Sequence, residues 1–370
     1  MAALVMVPPP ANGQLDFLAK QAGLMYFGSA TDTPGQRERA GLEASYGTYD
    51  YILADPREFG QTTPTNGQKW LFTEPEPGVF DFAEGDVVAD LAQQTGKMLR
   101  CHALVWHSQL APWVGETHAA GNWTKASLAA AIERHIRGVA GHYKGRCYAW
   151  DVVNEALADD DPAGGYRKQS VFYEVLGEEY IKLAFRVAAE VDPEAKLYYN
   201  DYGIERPDSP KTKGARRIVG MLKEAGIRID GVGMQAHLHA DNHPTAQDLV
   251  RTMEGYVAEG VDEVSFTELD VRITMPPNET SLDWQRDCYE KVVRACVEVK
   301  ECVGITTWDF YDPFSWIPYV FPGKGAGLLW FEDFNKHPAY DGMVEVFNEL
   351  IEAKGGEGER EEGEGAGEVR

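Results

Sequence analysis

The sequence has no apolar run that approaches the roughly 20 residues needed to cross a membrane as a helix. Positive charge is also scarce, because 35 Lys and Arg stand against 59 Asp and Glu, which gives a formal net charge of −24 over 370 residues. Such a surface repels phosphate backbones and anionic lipids. We therefore expect neither a nucleic acid nor a membrane as the main partner, whereas a neutral polysaccharide is compatible with this charge.

Cysteine is scarce as well. The chain has five cysteines, and because five is an odd number at least one of them has no disulfide partner within the chain. Cys296 and Cys302 can close a short loop, with buried thiols as the alternative for all five. The other three are Cys101, Cys147 and Cys288. Glycosylation sequons begin at Asn122 and Asn278. They favour an extracellular protein secreted by a eukaryotic cell.

The body of the chain, residues 15–353, alternates short β-rich runs with amphipathic stretches and contains no Ser/Gly linker. Parallel strands need a crossover helix between them, so eight strands separated by helices are typical of a barrel. The pattern predicts a single α/β domain, a (β/α)8 TIM barrel, although a doubly wound sheet uses the same elements. The predicted strands are 24–29, 58–62, 98–104, 148–153, 196–199, 231–235, 263–267 and 303–307.

The two ends of the chain differ from this body. Residues 1–14 form an N-terminal extension. Its opening MAALVMVPPP is too short and too rich in proline for a secretory signal, so we expect any signal peptide to have been removed or replaced by a start Met. Residues 354–370 are rich in Gly and Glu and hold almost no residue able to anchor them in a core. We predict that this tail is disordered.

Two predicted strands run directly into a glutamate. The run 148–153 is followed by Asn154 and Glu155, and the run 263–267 by Glu268. The carboxyl ends of parallel barrel strands meet at one mouth, so these two side chains should face each other there. Retaining glycoside hydrolysis needs an acid and a nucleophilic carboxylate about 5 to 5.5 Å apart. The sequence thus predicts a retaining glycosidase, and the alternative for either Glu alone is a structural ion pair.

Between about Leu15 and Glu352 the chain resembles glycoside hydrolase family 10, the barrel xylanases. The resemblance rests on motifs in order: YFGSA at 26–30, EFGQ at 58–61, KW at 69–70, HALVWHSQ at 102–109, WDVVNE at 150–155, YNDY at 199–202, GMQAH at 233–237, TELD at 267–270, Trp308 and Ser315-Trp316. It implies an endo-1,4-β-xylanase that cleaves plant cell-wall xylan with retention. It also implies that no cofactor or metal is needed, and we expect a monomer.

The resemblance assigns Glu155 as general acid/base and Glu268 as nucleophile. It implies that His237 hydrogen-bonds the nucleophile, and Asp270, on the same strand face as Glu268, can orient this histidine. Asn154 is implied to bind the sugar 2-hydroxyl. The remaining residues implied to bind substrate are Asn66, Lys69, His102, Trp106, Gln109, Tyr202, Gln235, Trp308 and Trp316.

The chain departs from the family pattern at two places. Thr65 stands where the family commonly has Glu, which removes a carboxylate that binds the second sugar on the glycone side. Trp308 is followed by the bulky run 309–311 (Asp-Phe-Tyr) rather than Gly and small residues, which could reshape the same side. The spacing of Cys296 and Cys302, by contrast, resembles a fungal-type disulfide of the family.

Three alternatives to a xylanase are considered. Because of Thr65, the chain can instead be a family member that acts on another plant glycoside, such as a saponin-deglycosylating tomatinase. A metal-dependent hydrolase would use the His-x-His pair His237 and His239, with Asp270 and His102. A non-catalytic carbohydrate-binding or inhibitor protein is disfavoured, because its usual mark is the loss of one catalytic carboxylate and both are present.

Overall fold

The eight predicted strands form a closed parallel barrel in a computed structural model that describes residues 14–32 and 46–365. Side chains are described for 14–32 and 47–354. The strands of the described part are β1 (Tyr26–Thr31), β2 (Gln61–Pro64), β3 (Met98–Trp106), β4 (Ala149–Asn154), β5 (Lys196–Asp201), β6 (Gly231–Met234), β7 (His237–His239), β8 (Glu263–Thr274), β9 (Cys302–Thr307) and β10 (Lys324–Gly325). Neighbours pair in the order β9-β1-β2-β3-β4-β5-β6-β8, and pairing of β8 with β9 closes the ring. The predicted (β/α)8 barrel is confirmed.

Helices cover the outside of this barrel. In Lys125–His142, for example, the Thr124 side chain caps the first turn, and apolar side chains one turn apart are all buried against the barrel. The helices of the described part are Leu15–Gln21, Tyr46–Ala54, Trp70–Thr73, Ala83–Thr95, Pro112–Ala119, Lys125–His142, Val171–Leu176, Glu179–Val191, Pro210–Glu224, Ala246–Ala258, Glu279–Glu298, Ile317–Val320 and Pro338–Gly365, with a 3-10 turn at Asp312–Phe314.

Several strands extend further towards the mouth than the apolar runs suggested, whereas β6 ends one residue earlier, at Met234. β3 continues to Trp106, and β8 continues to Thr274, seven residues past its predicted end. The extra length of β8 pairs in parallel with the short strand β7 and antiparallel with β10. Beyond Thr267 the strand alternates Glu268, Asp270 and Arg272 with the buried Leu269, Val271 and Ile273, so the continuous apolar run ends there although the strand does not. This extension carries part of the mouth.

Two disulfides are present in the described part of the chain. Cys296–Cys302 is confirmed, and a second bridge joins Cys101 on β3 to Cys147 just before β4. The alternative of buried thiols is therefore wrong for these four residues, and it holds for Cys288, which is buried and free. The separation of 46 residues between Cys101 and Cys147 gave no local sign of pairing, because only barrel closure makes β3 and β4 neighbours.

We expect the longer bridge to contribute more to stability than the shorter one. Closing a loop with a separation of 46 residues is worth about 4 kcal/mol of unfolding free energy, whereas the separation of 6 gives about 2 kcal/mol. Denaturant unfolding of C101A/C147A should therefore show about twice the loss seen in C296A/C302A. A larger loss in the second double variant would show that strain or packing, not chain entropy, sets the order.

Several sequence-based expectations concern the ends and the surface. Residues 1–13 lie outside the described part, as do residues 366–370 and the side chains from Gly355, so the predicted disorder of 354–370 stays a prediction. Asn122 and Asn278 are exposed, and Asn278 also caps a helix through its side-chain oxygen. No helix in the described ranges is long and apolar enough to span a membrane.

Candidate active site

The carboxyl ends of the barrel strands open into a cavity of about 1060 Å³. All but one of the residues assigned to substrate or chemistry from the sequence line this cavity, and the exception, Asp270, lies behind His237. The structure therefore brings the predicted set together at one mouth. The lining members are Asn66, Lys69, His102, Trp106, Gln109, Asn154, Glu155, Tyr202, Gln235, His237, Glu268, Trp308 and Trp316.

Glu155 follows β4 and adopts a left-handed backbone conformation, with φ of 55°. That conformation is costly for a residue with a side chain, and the Glu155 amide offsets it by donating to the Asn200 carbonyl at 2.9 Å. The carboxylate accepts from Trp106 Nε1 at 2.7 Å and from Gln235 Nε2 at 3.1 Å. Burial raises the pKa of Glu155, and the nearby charge of Asp201 adds to the rise. This carboxyl is suited to staying protonated.

Glu268 on β8 has the opposite setting. Its Oε1 accepts from Asn200 Nδ2 at 2.7 Å and its Oε2 from His237 Nε2 at 3.2 Å. Burial acts to raise the pKa of Glu268, but the His237 hydrogen bond and the proximity of His102 outweigh it, so the pKa lies below its usual value. This carboxyl is suited to staying charged.

His237 on β7 is held between two carboxylates. Its Nδ1 donates to Asp270 Oδ2 at 2.7 Å, and the same oxygen accepts from Trp316 Nε1 at 2.8 Å. Burial acts to lower the pKa of His237, but Asp270 and Glu268 together raise it to about 10. This raised pKa favours the protonated ring, which can donate to Asp270 from Nδ1 and to Glu268 from Nε2.

Side-chain amides connect the two glutamates. Asn200 Nδ2 donates to Asn154 Oδ1 at 2.9 Å as well as to Glu268, and Gln235 Nε2 donates to Asn154 Oδ1 at 3.1 Å as well as to Glu155. Asn200 received no role from the sequence. It lies one residue before the end of β5, in register with Asn154 at the end of β4, and that shared register was the available sign.

His102 is held by a buried carboxylate inside the barrel. Its Nδ1 is 2.9 Å from Asp151 Oδ2, and Asp151 is also paired with Arg100 inside the barrel. Its Nδ1 is 3.9 Å from Glu268 Oε1, so the ring lies at the edge of the nucleophile. The sequence gave His102 a place in substrate binding but missed Arg100 and Asp151, because buried charges inside a strand have no distinguishing pattern.

Lys69 occupies the corner of the cavity where Thr65 replaces the usual glutamate. Its Nζ donates to Gln109 Oε1 at 2.6 Å and to Asn66 Oδ1 at 3.0 Å. Burial lowers the pKa of Lys69 to about 8 against the opposing charges of Glu268, Asp32 and Glu155. Asp32, which the sequence did not single out, also lines this corner and accepts from the Gly67 amide at 3.3 Å. The corner thus retains a carboxylate.

The bulky run 309–311, which the sequence suggested could reshape the glycone side, turns its two aromatic rings away from the cavity. Asp309 has a φ of 69°, and its carboxylate accepts the amides of Phe310 and Tyr311 at 2.6 and 3.0 Å. Phe310 stacks on Tyr49 behind the mouth with ring centroids 4.5 Å apart. Asp309 lines the cavity, while the two aromatic rings are buried away from it.

The two histidines of the His-x-His pair are committed to other partners. His237 contacts Asp270 and Glu268, and His239 accepts from the guanidinium of Arg272. A histidine facing a guanidinium is a poor ligand for a second cation. Among the described residues, no group of three or more His, Cys, Asp or Glu side chains is arranged to hold a metal ion.

Comparisons with known proteins identify the family of this chain. The model of glycosyl hydrolase family 10 matches residues 14–346. Endo-1,4-beta-xylanase A of Humicola insolens is 66% identical over 332 residues, covering 90% of this chain and 86% of that protein. Endo-1,4-beta-xylanase D of Talaromyces funiculosus is 46% identical and covers 90% of this chain and 77% of that protein.

Solved structures show the same relationship. A family 10 xylanase from a Bispora species, crystallised with xylobiose, superposes with a TM-score of 0.83 at 39% identity, over 90% of this chain and 99% of that one. The endo-1,4-beta-xylanase XylE of Penicillium canescens gives a TM-score of 0.83 at 37% identity, over 90% and 97%. Since the family model and these relatives cover nearly the whole described barrel, the chain belongs to glycosyl hydrolase family 10.

Proposed function

We propose that the protein is an endo-1,4-β-xylanase that cleaves the xylan backbone with retention of anomeric configuration. The observation that carries the proposal is the pair Glu155 and Glu268, which line one cavity while their surroundings move their pKa values in opposite directions. Two carboxyls whose pKa values are moved apart in this way are typical of the acid and the nucleophile of a glycosidase.

The reaction proceeds in two displacements. Glu268 attacks the anomeric carbon while Glu155 donates its proton to the departing glycosidic oxygen, which leaves a glycosyl ester on Glu268 and a carboxylate on Glu155. Glu155 then takes a proton from water as the water oxygen attacks the same carbon. The ester bond breaks, the sugar leaves with its original configuration, and both carboxyls return to their starting states.

The other lining residues serve binding in this proposal. Asn154 faces both glutamates through Asn200 and Gln235, which suits it to the sugar 2-hydroxyl. Trp308 and Trp316 offer flat aromatic faces to the sugar rings of the glycone. The polar side chains of Asn66, Lys69, His102, Gln109, Gln235 and Tyr202, with the Trp106 indole, provide fixed hydroxyl partners.

Xylan is favoured over a saponin as the substrate. The relatives carry the name endo-1,4-beta-xylanase, and one aligned structure holds xylobiose. The corner at Thr65 keeps Asp32 as a half-buried carboxylate beside Lys69, so polar recognition of a sugar there is not lost. Extracellular secretion, supported by the two disulfides, and glycosylation at Asn122 and Asn278 belong to the same proposal.

Product analysis on linear xylo-oligosaccharides and on tomatine tests the substrate. We expect internal cleavage of the xylo-oligosaccharides to shorter fragments and no release of sugar from tomatine. Cleavage of tomatine with xylan untouched would overturn the xylanase assignment and leave the glycosidase assignment standing.

Replacing His237 by glutamine should weaken activity most at low pH. The positive ring lowers the pKa of Glu268, so its removal raises that pKa and the nucleophile protonates at a higher pH. The acidic limb of kcat/KM should therefore move upward, with about a tenfold loss near neutrality. H118Q, which removes an exposed histidine paired with Glu174, serves as the control. An unmoved acidic limb in H237Q would contradict this role.

A further inference from the structure

Arg272 lies on the wall of the active-site cavity, and no carboxylate among residues 14–32 and 47–354 serves as its counter-ion. It is on the extension of β8, where Asp270 pairs in register with His237 and Arg272 with His239. Alternate residues of a strand share one face, so the Arg272/His239 pair lies one repeat beyond the Asp270/His237 pair, about 7 Å along the strand. The guanidinium is therefore within reach of a sugar bound near Glu268.

The contacts of Arg272 leave its charge unpaired. No carboxylate of the described residues forms an ion pair with it, and Asp270, the acidic group that acts on it through space, is occupied by His237 and Trp316. Its Nη2 donates to the uncharged acceptor His239, and its Nε is buried without a hydrogen-bond partner. A half-buried cation with unused donors is costly unless a ligand supplies the missing anion.

Aromatic side chains fix this guanidinium in the cavity. Its carbon lies 4.1 Å from the centroid of the Phe321 ring, and Phe321 packs on Trp316 with centroids 5.5 Å apart. Tyr319, 74% exposed, lies at the same rim. Trp316 faces the proposed glycone side, so Arg272 stands beside the sugars on that side, with a planar fork of donors suited to a carboxylate.

We propose that Arg272 binds the carboxylate of a hexuronic acid substituent on the xylan backbone, so the enzyme prefers acidic xylan. This inference rests on the proposed function, since it places the substituent on a chain bound for cleavage. The net charge of −24 opposes an anionic substrate at long range. At about 0.15 M salt that repulsion is screened beyond about 8 Å, so a preference there must come from a local cation.

The test compares two matched substrates, glucuronic acid-substituted xylo-oligosaccharides and the same material with its carboxyl groups reduced to alcohols. The measured quantity is the ratio of kcat/KM for the acidic form over the reduced form at 0.15 M salt. We expect about tenfold preference for the acidic form in the wild type and a ratio near one in R272Q. R294Q, which removes an exposed arginine paired with Glu349 outside the cavity, should keep the wild-type ratio.

A wild-type ratio of one or less would overturn the proposal even if R272Q failed to fold, and so would an R272Q ratio equal to that of the wild type. A ratio that falls in R272Q and persists in R294Q supports it. Unsubstituted xylo-oligosaccharides separate this inference from the proposed function, because a wild type that cleaves them without acidic preference is a xylanase lacking this site. A wild type that cleaves neither would defeat the function itself.

Discussion

Replacing Glu268 by alanine is expected to lower kcat on xylan by at least about 10⁴-fold, because no other group can form the glycosyl ester. The carboxylate is buried, is held by Asn200 and His237, and has a lowered pKa, so it is charged and aimed when substrate binds. Steady-state rates on xylo-oligosaccharides measure the loss.

The character of the residual activity separates a nucleophile from a structural carboxylate. With the side chain removed, added azide can enter the vacated space and attack the anomeric carbon from the same face, which gives a glycosyl azide of inverted configuration. E349A, which removes an exposed carboxylate on the last helix, is the matched control and should keep full activity. Retained turnover in folded E268A would contradict the assignment.

The barrel and its mouth were predictable because their determinants are local. Apolar runs separated by amphipathic helices marked all eight barrel strands, and Glu155 and Glu268 stood where the runs of β4 and β8 stopped. Parallel strands bring their carboxyl ends together, so Glu155 and Glu268 could be placed at one mouth from their position alone. Any residue that directly follows an apolar run of a barrel strand can be placed at the mouth by the same argument.

Features that depend on pairing between distant segments were not predictable in this way. Cys101 and Cys147 become neighbours only through the register of β3 and β4, and Asp32 joins the Lys69 corner only when the barrel closes. The position of the aromatic rings after Trp308 was not predictable either. Asp309 adopts a positive φ, and Phe310 packs on Tyr49 behind the mouth. Arg272 was missed because β8 continues past its apolar core.

Replacing Glu155 by alanine should produce a loss that depends on the leaving group. A xylo-oligosaccharide leaves as a poor alkoxide and needs the proton, so its kcat/KM should fall by about 10² to 10⁴-fold. An aryl xylobioside with an acidic phenol leaves without protonation, so its first step should be nearly unchanged. Pre-steady-state release of the phenol from the aryl xylobioside, set against kcat/KM for the xylo-oligosaccharide, measures this contrast.

The pH profile gives an independent check on the same residue. Burial and the charge of Asp201 raise the pKa of Glu155, and the acid acts only while protonated, so wild-type activity should fall as pH rises through that pKa. In E155A this alkaline limb should vanish for the aryl substrate, while the acidic limb, which reports Glu268, remains. Equal losses for good and poor leaving groups, or an unchanged alkaline limb, would show that the proton comes from another group, and the double displacement would then need a different acid.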